Sequence, residues 1–298
     1  MPGYFWVAVG GALALSIGSL LGKAVVRYRI CDAGLITWSQ GLATAGVAGS
    51  LCALLRVPFP RTHWFPLACL AACIILASWL LNHALQEGDA STVVPLMGLK
   101  IPLTALLAWV FLGETATART WSAVACSALA VSLFGVGRQR RTEGGHGYRP
   151  VTAIYFVVLS CLLFGASDVI AKRALDGVTP LPLLLWSNVL WAPVAAAMLT
   201  RPCYRQYRVT PLDMVLLTMR GVLVLGAVLG LYSAFRMAGR VILPNVIYGA
   251  RGFFALVAGY ILSKTLRLPM ERQSGAVYAL RLAGTILLAA AVFLSMAK

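Results

Sequence analysis

Two basic side chains lie inside long apolar stretches of the chain, where lysine and arginine are rare. Lys100 falls about ten residues into the run 91–112, and Arg251 lies at nearly the same depth in the run 242–263. A cation at the bilayer centre costs roughly 2.5 to 3.5 kcal/mol on insertion scales. Because a lysine side chain extends only about 6 Å and the membrane surface is ~15 Å away, it cannot reach water from the centre. We therefore expect both cations to face an internal, hydrated cavity.

Two cations facing one cavity can hold an anionic group of a substrate. Arg251 can bind a carboxylate or phosphate through two N–H donors, while Lys100 acts as a point charge. The alternative is a set of internal salt bridges, but Asp168 is the one acid expected deep in a membrane helix. It also has Lys172 four residues further on, an i,i+4 partner. We therefore favour an anion site, with Asp168 and Lys172 as a candidate ion pair or proton site.

Other polar and aromatic side chains within the apolar runs are candidates for binding the substrate. Polar side chains in spanning helices usually face protein or water, although each could equally form a hydrogen bond between helices. The tryptophans could stack on a substrate or anchor the chain at the membrane interface. These candidates are Gln40, Asn188, Asn82, Tyr232, Asn245, Tyr248, Trp38 and Trp186.

Two prolines and one glutamate shape the segment that carries Lys100. Pro95 and Pro102 have no N–H, so each leaves a carbonyl one turn earlier without its helical donor. A broken helix that lines a cavity and an ordinary proline kink both fit this pattern. Glu114 immediately precedes the run 119–137, where an acid favours the N-terminal helix dipole, and we expect it to be structural.

The elements that position these residues follow from composition. With 60% hydrophobic and 11% charged residues in 298, the chain has too little polar surface for a water-soluble domain. Runs of about 20 apolar residues predict an all-α polytopic membrane protein of ten transmembrane helices. They lie near 4–24, 34–55, 64–86, 91–112, 119–137, 152–173, 180–200, 213–235, 242–263 and 275–296.

The two halves of the chain repeat one another at a nearly constant offset of 148 to 151 residues. The matching pairs are Lys23 with Lys172, Trp38 with Trp186, Ala84 with Ala234, Gly98 with Gly249, and Lys100 with Arg251. Five helices per half is an odd number, so the second half must enter the membrane from the opposite side. We therefore predict two inverted repeats around a central cavity, over 1–142 and 151–298, joined by a linker at 143–150.

The run "ALQEGDASTVVPLMGLKIPLTALLAWVFLGE", residues 84–114, resembles the fourth-helix region of EamA-type members of the drug/metabolite transporter superfamily. The small residues at its start, its "P-L" and its final "L-G-E" carry the resemblance. In the second half, Ser263 and Lys264 replace the "G-E". The resemblance implies a ten-helix transporter of small organic solutes that is not driven by ATP, similar in plan to sugar-phosphate and nucleotide-sugar carriers. Relatives of this family also include flippases for lipid-linked sugars.

The remaining features weigh against other classes of protein. The 25 basic residues, which give a net charge of +16, form short clusters at helix ends, which indicates contact with anionic lipid rather than nucleic acid. Three histidines and seven scattered cysteines show no catalytic or metal-binding spacing, so we expect no enzyme activity, cofactor or metal site.

We thus expect a secondary-active transporter of a small, anionic solute bearing phosphate or carboxylate, which works by alternating access. A flippase for a phosphate-bearing or sugar-linked lipid, or an exporter of amino acids or drugs, is the alternative. The expected partners are the anionic substrate or lipid headgroup and membrane lipids, with a homodimer left open. The expected location is the bacterial cytoplasmic (inner) membrane, with both termini outside because Lys and Arg are more frequent on the opposite side.

Overall fold

The computed structural model describes residues 2–28, 32–87, 93, 96–135, 150–204, 210–251, 253–254, 257 and 275–296. These residues form α-helices and short 3-10 turns, and no β-strand occurs among them. The helices are α1 Gly3–Tyr28, α2 Ala33–Leu54, α3 Trp64–Glu87, α4 Lys100–Leu112, α5 Ala118–Gly135, α6 Pro150–Ala174, α7 Pro180–Val189, α8 Trp191–Leu199, α9 Pro211–Ala238, α10 Ile242–Tyr248 and α11 Gly275–Met296.

Several helices are long and apolar enough to cross a bilayer. Four such stretches are Arg61–Glu87, Val151–Ala174, Pro180–Leu199 and Pro211–Ala238, and shorter apolar helices cover Gly3–Ser19, Met97–Leu112 and Ala283–Leu294. Large apolar side chains also point outward, such as Phe293, which is 73% exposed. Such a surface suits contact with lipid rather than water. The predicted all-α polytopic membrane protein is confirmed.

Three of the predicted spanning segments are interrupted. The run 180–200 is divided at Leu190 into α7 and α8, because Pro193 cannot donate to the carbonyl of Val189. The run 91–112 contains a 3-10 turn at Met97–Leu99, and α4 begins only at Lys100. In the run 242–263, α10 ends at Tyr248 and a turn follows. Both central cations thus adjoin a break in the helix.

Pro102 is the third residue of α4, where its missing N–H has no intrahelical partner in any case. Of the two possibilities left open for this segment, the structure has the broken helix, with the proline inside the first turn of α4. Pro95, the second proline of that prediction, lies outside the described residues.

The helix contacts have the pattern that a two-fold repeat predicts. α1 packs along α9, and α3 packs along α6; α5 packs along α11, and α2 packs against α7. If each helix is replaced by its counterpart in the other half, the first two pairs exchange with one another, and the last two map onto themselves. The boundaries 1–142, 143–150 and 151–298 stay a prediction, and most of the linker lies outside the described residues.

Candidate functional site

A cleft lies where the interrupted segments of the two halves meet α5. The cleft is narrow, with space for about one water molecule, and part of it is open to the surroundings. Both central cations line it, together with two of the other predicted site residues. The lining residues are Met97, Lys100, Ile101, Val131, Asn245, Tyr248, Gly249 and Arg251. Residues separated by about half the chain are thereby brought to one site.

Lys100 forms an ion pair across the interface between α4 and α6. Its Nζ lies 2.9 Å from Oδ2 of Asp168, and the two side chains are only 11% and 6% exposed. Oδ2 is buried and makes no hydrogen bond, so the contact is a close ion pair without hydrogen-bond geometry. The Lys100 Nζ also lies 5.9 Å from the ring centre of Phe164, one turn before Asp168 on α6.

The expected pair between Asp168 and Lys172 is wrong. Lys172 instead binds Asp176, with 2.8 Å between Nζ and Oδ1, at the end of α6 where the Asp176 side chain is 68% exposed. A lysine on a helix has i,i+4 neighbours in both directions, and here the acid nearer to water is the partner. Asp168 is left to face α4, where the cation of Lys100 compensates its buried charge.

Arg251 has a different environment from Lys100. Its guanidinium carbon lies 5.9 Å from the ring centre of Tyr248. Within the described ranges, no carboxylate lies at ion-pair distance from Arg251. The backbone carbonyl of Arg251 accepts a hydrogen bond from Ser16 Oγ of α1, at 2.7 Å, which fixes the chain just after the break. Among the described residues, one central cation therefore has an acid partner and the other has none.

Two glycines allow the broken segments to lie against α5. A Cβ on Gly98 would lie 2.7 Å from the carbonyl oxygen of Ala128 and 2.9 Å from Oγ of Ser132. A Cβ on Gly249 would lie 2.7 Å from Oγ of Ser127. These distances are shorter than van der Waals contact permits. The glycine pair that recurs in the sequence repeat thus places both breaks, and the cations beside them, at the cleft.

Glu114 connects the end of α4 to the start of α10. Gly113 adopts a left-handed conformation with φ of 65°, which ends α4 and turns the chain. The carboxylate of Glu114 then accepts hydrogen bonds from the backbone N–H groups of Val241, at 2.7 Å, and Ile242, at 3.4 Å. Glu114 is structural, as expected, but it caps α10 rather than the helix that follows it in sequence. The "L-G-E" of one half therefore holds the broken helix of the other.

Asn245 and Tyr248 are the two predicted polar residues that line the cleft with the cations. Asn245 donates from Nδ2 to the carbonyl of Val241 at 3.3 Å, within α10. Tyr232 is fully buried beside Phe235 of its own helix, with 6.1 Å between ring centres, and does not line the cleft. α10 thus carries both uncharged polar side chains of the lining.

Three other predicted polar residues make hydrogen bonds away from the cleft. Gln40 Nε2 donates to Thr44 Oγ1 at 2.9 Å and to the Leu217 carbonyl of α9 at 3.4 Å. Asn82 Nδ2 of α3 donates to Oγ1 of Thr37 in α2 at 2.7 Å. Asn188 Nδ2 donates to the carbonyl of Leu184 at 2.8 Å. The structure thus gives these residues packing hydrogen bonds between or within helices.

The two tryptophans that recur in the repeat also lie outside the cleft. Trp38 is 5% exposed and packs with Trp191 of α8, so it is neither an interfacial anchor nor a cleft residue. Trp186 donates from Nε1 to the carbonyl of Pro58 at 3.1 Å and meets the ring of Phe59 edge-on. Both tryptophans hold neighbouring segments together.

Sequence reasoning missed the apolar part of the site. Met97, Ile101 and Val131 line the cleft, and Phe164 stands beside Lys100. Nothing in their types or spacing distinguishes them from the many other apolar residues of spanning helices. Among the described residues, no group of three or more His, Cys, Asp or Glu side chains is placed to hold a metal ion.

Residues 1–136 match the model of the EamA-like transporter family. The resemblance predicted from residues 84–114 is therefore confirmed, and this family consists of membrane transporters of small solutes rather than enzymes. No curated protein matches the chain. A solved crystal structure aligns with 98% of this chain and 97% of its own, with a TM-score of 0.71 and 14% sequence identity. That likeness shows the fold of the whole chain, including the second half, and does not bear on the solute.

Proposed function

We propose that this protein is a secondary-active transporter that binds a small anionic solute between Lys100 and Arg251. The solute carries a phosphate or a carboxylate, and the two halves of the protein expose it to one side of the membrane and then to the other. The observation that carries this proposal is that Arg251, which has no carboxylate partner within the part of the chain that the structure describes, lines the same cleft as Lys100.

A cation that faces a cleft without a carboxylate partner is energetically costly in a membrane protein. An anionic solute would remove that cost by forming two parallel hydrogen bonds with the planar guanidinium. Tyr248 lines the cleft beside this guanidinium, with 5.9 Å between the guanidinium carbon and the ring centre. Arg251 is therefore the main anion-binding group of the proposal, and Lys100 adds a second positive charge.

The interrupted helices support transport by alternating access. The cleft is lined by α4 and α5 from the first half of the chain and by α10 and Arg251 from the second. Broken helices at the meeting point of two repeats are typical of secondary transporters. A relative rotation of the two halves would open the cleft toward one side and close it toward the other.

The ion pair weighs against a cationic solute. An exporter of cationic drugs needs a buried carboxylate that is free to bind its cargo, and Asp168 already faces Lys100 at 2.9 Å. A flippase for a phosphate-bearing lipid would bind the lipid phosphate with the same two cations. The experiment below therefore distinguishes the two functions. We place the protein in the bacterial cytoplasmic membrane.

Counter-exchange in proteoliposomes tests the proposal. Liposomes that contain the purified protein would be loaded with phosphorylated or carboxylated metabolites, and with amines of similar size as controls. The exchange of a labelled compound across the liposome membrane would then be measured. We expect exchange of anions but not amines. Exchange of amines alone would contradict the proposal, and scrambling of a labelled phospholipid without exchange of soluble anions would identify a flippase.

Variants of the cleft add a second arm to this experiment. Arg251→Ala should insert and fold but lose most of the exchange, because it removes a charge that faces the anion. Lys100→Ala should lose exchange and also stability, because it leaves Asp168 buried without its partner. Lys172→Ala is the matched control, since it removes a lysine whose ion pair lies at the exposed end of α6. Near-normal exchange by both cleft variants would refute the anion site.

A further inference from the structure

The first half of the chain gives the cleft an apolar wall. Met97 lies in the turn before α4, Ile101 in the first turn of α4, and Val131 in α5. Ile101 and Val131 are each only 7% exposed, so the wall lies inside the protein and not on its lipid-facing surface. Lys100 lines the cleft from the same half, but its Nζ lies beside Asp168 of α6. This wall therefore offers a solute contact with hydrocarbon and few hydrogen bonds.

The second half of the chain supplies the polar part of the lining. Asn245 and Tyr248 belong to α10, and Arg251 follows it. The side-chain amide of Asn245 already donates from Nδ2 to the carbonyl of Val241 at 3.3 Å, which leaves its Oδ1 to accept from a solute. Apart from the cations, the described lining thus offers two uncharged side-chain groups, the Asn245 Oδ1 and the Tyr248 hydroxyl.

The amide side chains that could bind the hydroxyl groups of a sugar lie elsewhere. Gln40, Asn82 and Asn188 make hydrogen bonds between or within helices, away from the cleft. A solute hydroxyl that leaves water without gaining a new partner lowers the affinity. A polyhydroxylated solute has more such groups than this cleft can bind.

We propose that the transported solute is an amphipathic anion. Its charged group binds Arg251, and its short apolar body packs against the wall of Met97, Ile101 and Val131. The proposal rests on the proposed function, because it names the substrate class of the same cleft. Aliphatic and alicyclic carboxylates or phosphate monoesters belong to this class, whereas sugar phosphates and nucleotide sugars do not.

The cleft must widen to admit such a solute. Separation of the two halves changes the distance between the walls but not the side chains that form them, so the lining indicates the chemistry of the solute. Each CH₂ group that packs against the apolar wall should raise the affinity by about fourfold. A few polar groups in a mostly apolar site then fix the orientation of the charged end.

Ligand-dependent thermal unfolding of the purified full chain in detergent, followed by tryptophan fluorescence, tests the proposal. One ligand pair is hexanoate and gluconate, which share carbon number and charge at about pH 7.5 and differ in their hydroxyl groups. The second pair is cyclohexylmethyl phosphate and glucose 6-phosphate. A ligand raises the unfolding temperature according to its affinity, so titrations give apparent affinities. The apolar member of each pair should bind at least about tenfold more tightly, and hexylamine should not bind.

Substitutions in the wall show whether it causes this preference. Met97→Gln with Val131→Thr makes the wall polar at nearly constant shape, and should reduce the preference for hexanoate over gluconate by about tenfold. Val110→Thr is the matched control on α4, since Val110 is 63% exposed, and should keep the wild-type preference. Arg251→Ala should lose stabilisation by both ligands, which excludes binding of hexanoate through its hydrocarbon chain alone.

A variant that stays apolar keeps the test decisive if the polar double variant folds poorly. Ile101→Ala removes part of the wall without adding a polar group. It should weaken hexanoate binding by about tenfold and leave gluconate binding nearly unchanged. Equal weakening of both ligands would show that Ile101 supports the fold of the site and not the body of the solute.

The outcomes separate this proposal from the proposed function. Absence of stabilisation by all four anions, together with absence of anion exchange in proteoliposomes, refutes both. Anion exchange combined with hexanoate binding no tighter than gluconate binding, or with a preference unchanged by Met97→Gln with Val131→Thr, refutes the apolar body and leaves the anion site intact. A phospholipid shares the amphipathic chemistry, so scrambling of labelled phospholipid without exchange of hexanoate would overturn the soluble solute.

Discussion

The partner of Asp168 determines how the central charges are compensated. Lys100 lies on α4 and Asp168 on α6, and their ion pair is almost completely buried. A buried pair is weak evidence for net stability, because both charges were removed from water to make it. Removing only one partner is different, since it leaves the other charge buried and alone.

We therefore predict unequal effects of single and double substitutions on folding. Asp168→Ala should destabilise the protein by about 3 to 5 kcal/mol, because Lys100 is left without its acid, whereas Lys100→Met with Asp168→Leu should cost much less. The measurement is thermal unfolding in detergent, followed by tryptophan fluorescence. Asp176→Ala, which breaks an exposed pair, is the control and should change stability by no more than about 1 kcal/mol. Equal effects of Asp168→Ala and Asp176→Ala would contradict the prediction.

At the scale of elements, the short helix α10 depends on a residue from the other half of the chain. It carries Asn245 and Tyr248 and is followed by Arg251, but no side chain of its own caps its N-terminus. Glu114 provides that cap after the left-handed turn at Gly113. The end of α4 and the start of α10 are therefore joined by hydrogen bonds, which links the two segments that carry the central cations.

Loss of this cap should disturb the site more than the fold. Glu114→Ala should cost about 0.5 to 2 kcal/mol of stability, as for other helix caps, and should reduce exchange because α10 no longer holds Arg251 in place. Glu114→Gln retains an acceptor and should lie between wild type and Glu114→Ala. Thermal unfolding and exchange would be measured side by side, with Asp176→Asn as a carboxylate control. Full exchange by Glu114→Ala would show that the cap does not position the site.

At the scale of the whole molecule, the pattern of helix contacts stays the same when each helix is replaced by its counterpart in the other half. α1 with α9 mirrors α6 with α3, and α5 meets α11. If each half has five spanning segments, as the sequence predicts, the linker and the termini lie on opposite sides of the membrane. Similar sites in the two halves can then approach the cleft from opposite faces, which suits alternating access.

Reporter fusions test this topology. Alkaline phosphatase, which is active only outside the cytoplasm, should be active when fused after the last residue and inactive when inserted within 143–150. A fluorescent protein that matures only in the cytoplasm should give the opposite result. Activity of the same reporter at both positions would contradict an inverted repeat of five plus five helices, and a phosphatase active only at the linker would instead reverse the predicted orientation.

The sequence by itself determined the class of protein, the spanning segments, the repeat and the two central cations. These features depend on residue type and on position along the chain: apolar runs predict helices that cross a bilayer, and a buried cation stands out within them. The repeat also connected Lys100 with Arg251 and Gly98 with Gly249, and both pairs meet at the cleft.

Only the tertiary structure decided which neighbour each polar side chain contacts. Asp168 pairs with Lys100 rather than Lys172, and Glu114 accepts hydrogen bonds from the start of α10. Gln40 donates a hydrogen bond to a carbonyl of α9. In a soluble helix the apolar face marks the core, but here the outside of the protein is apolar too. The sequence pattern therefore does not distinguish the face toward lipid from the face toward the cleft, and packing between helices that are distant in sequence makes that choice.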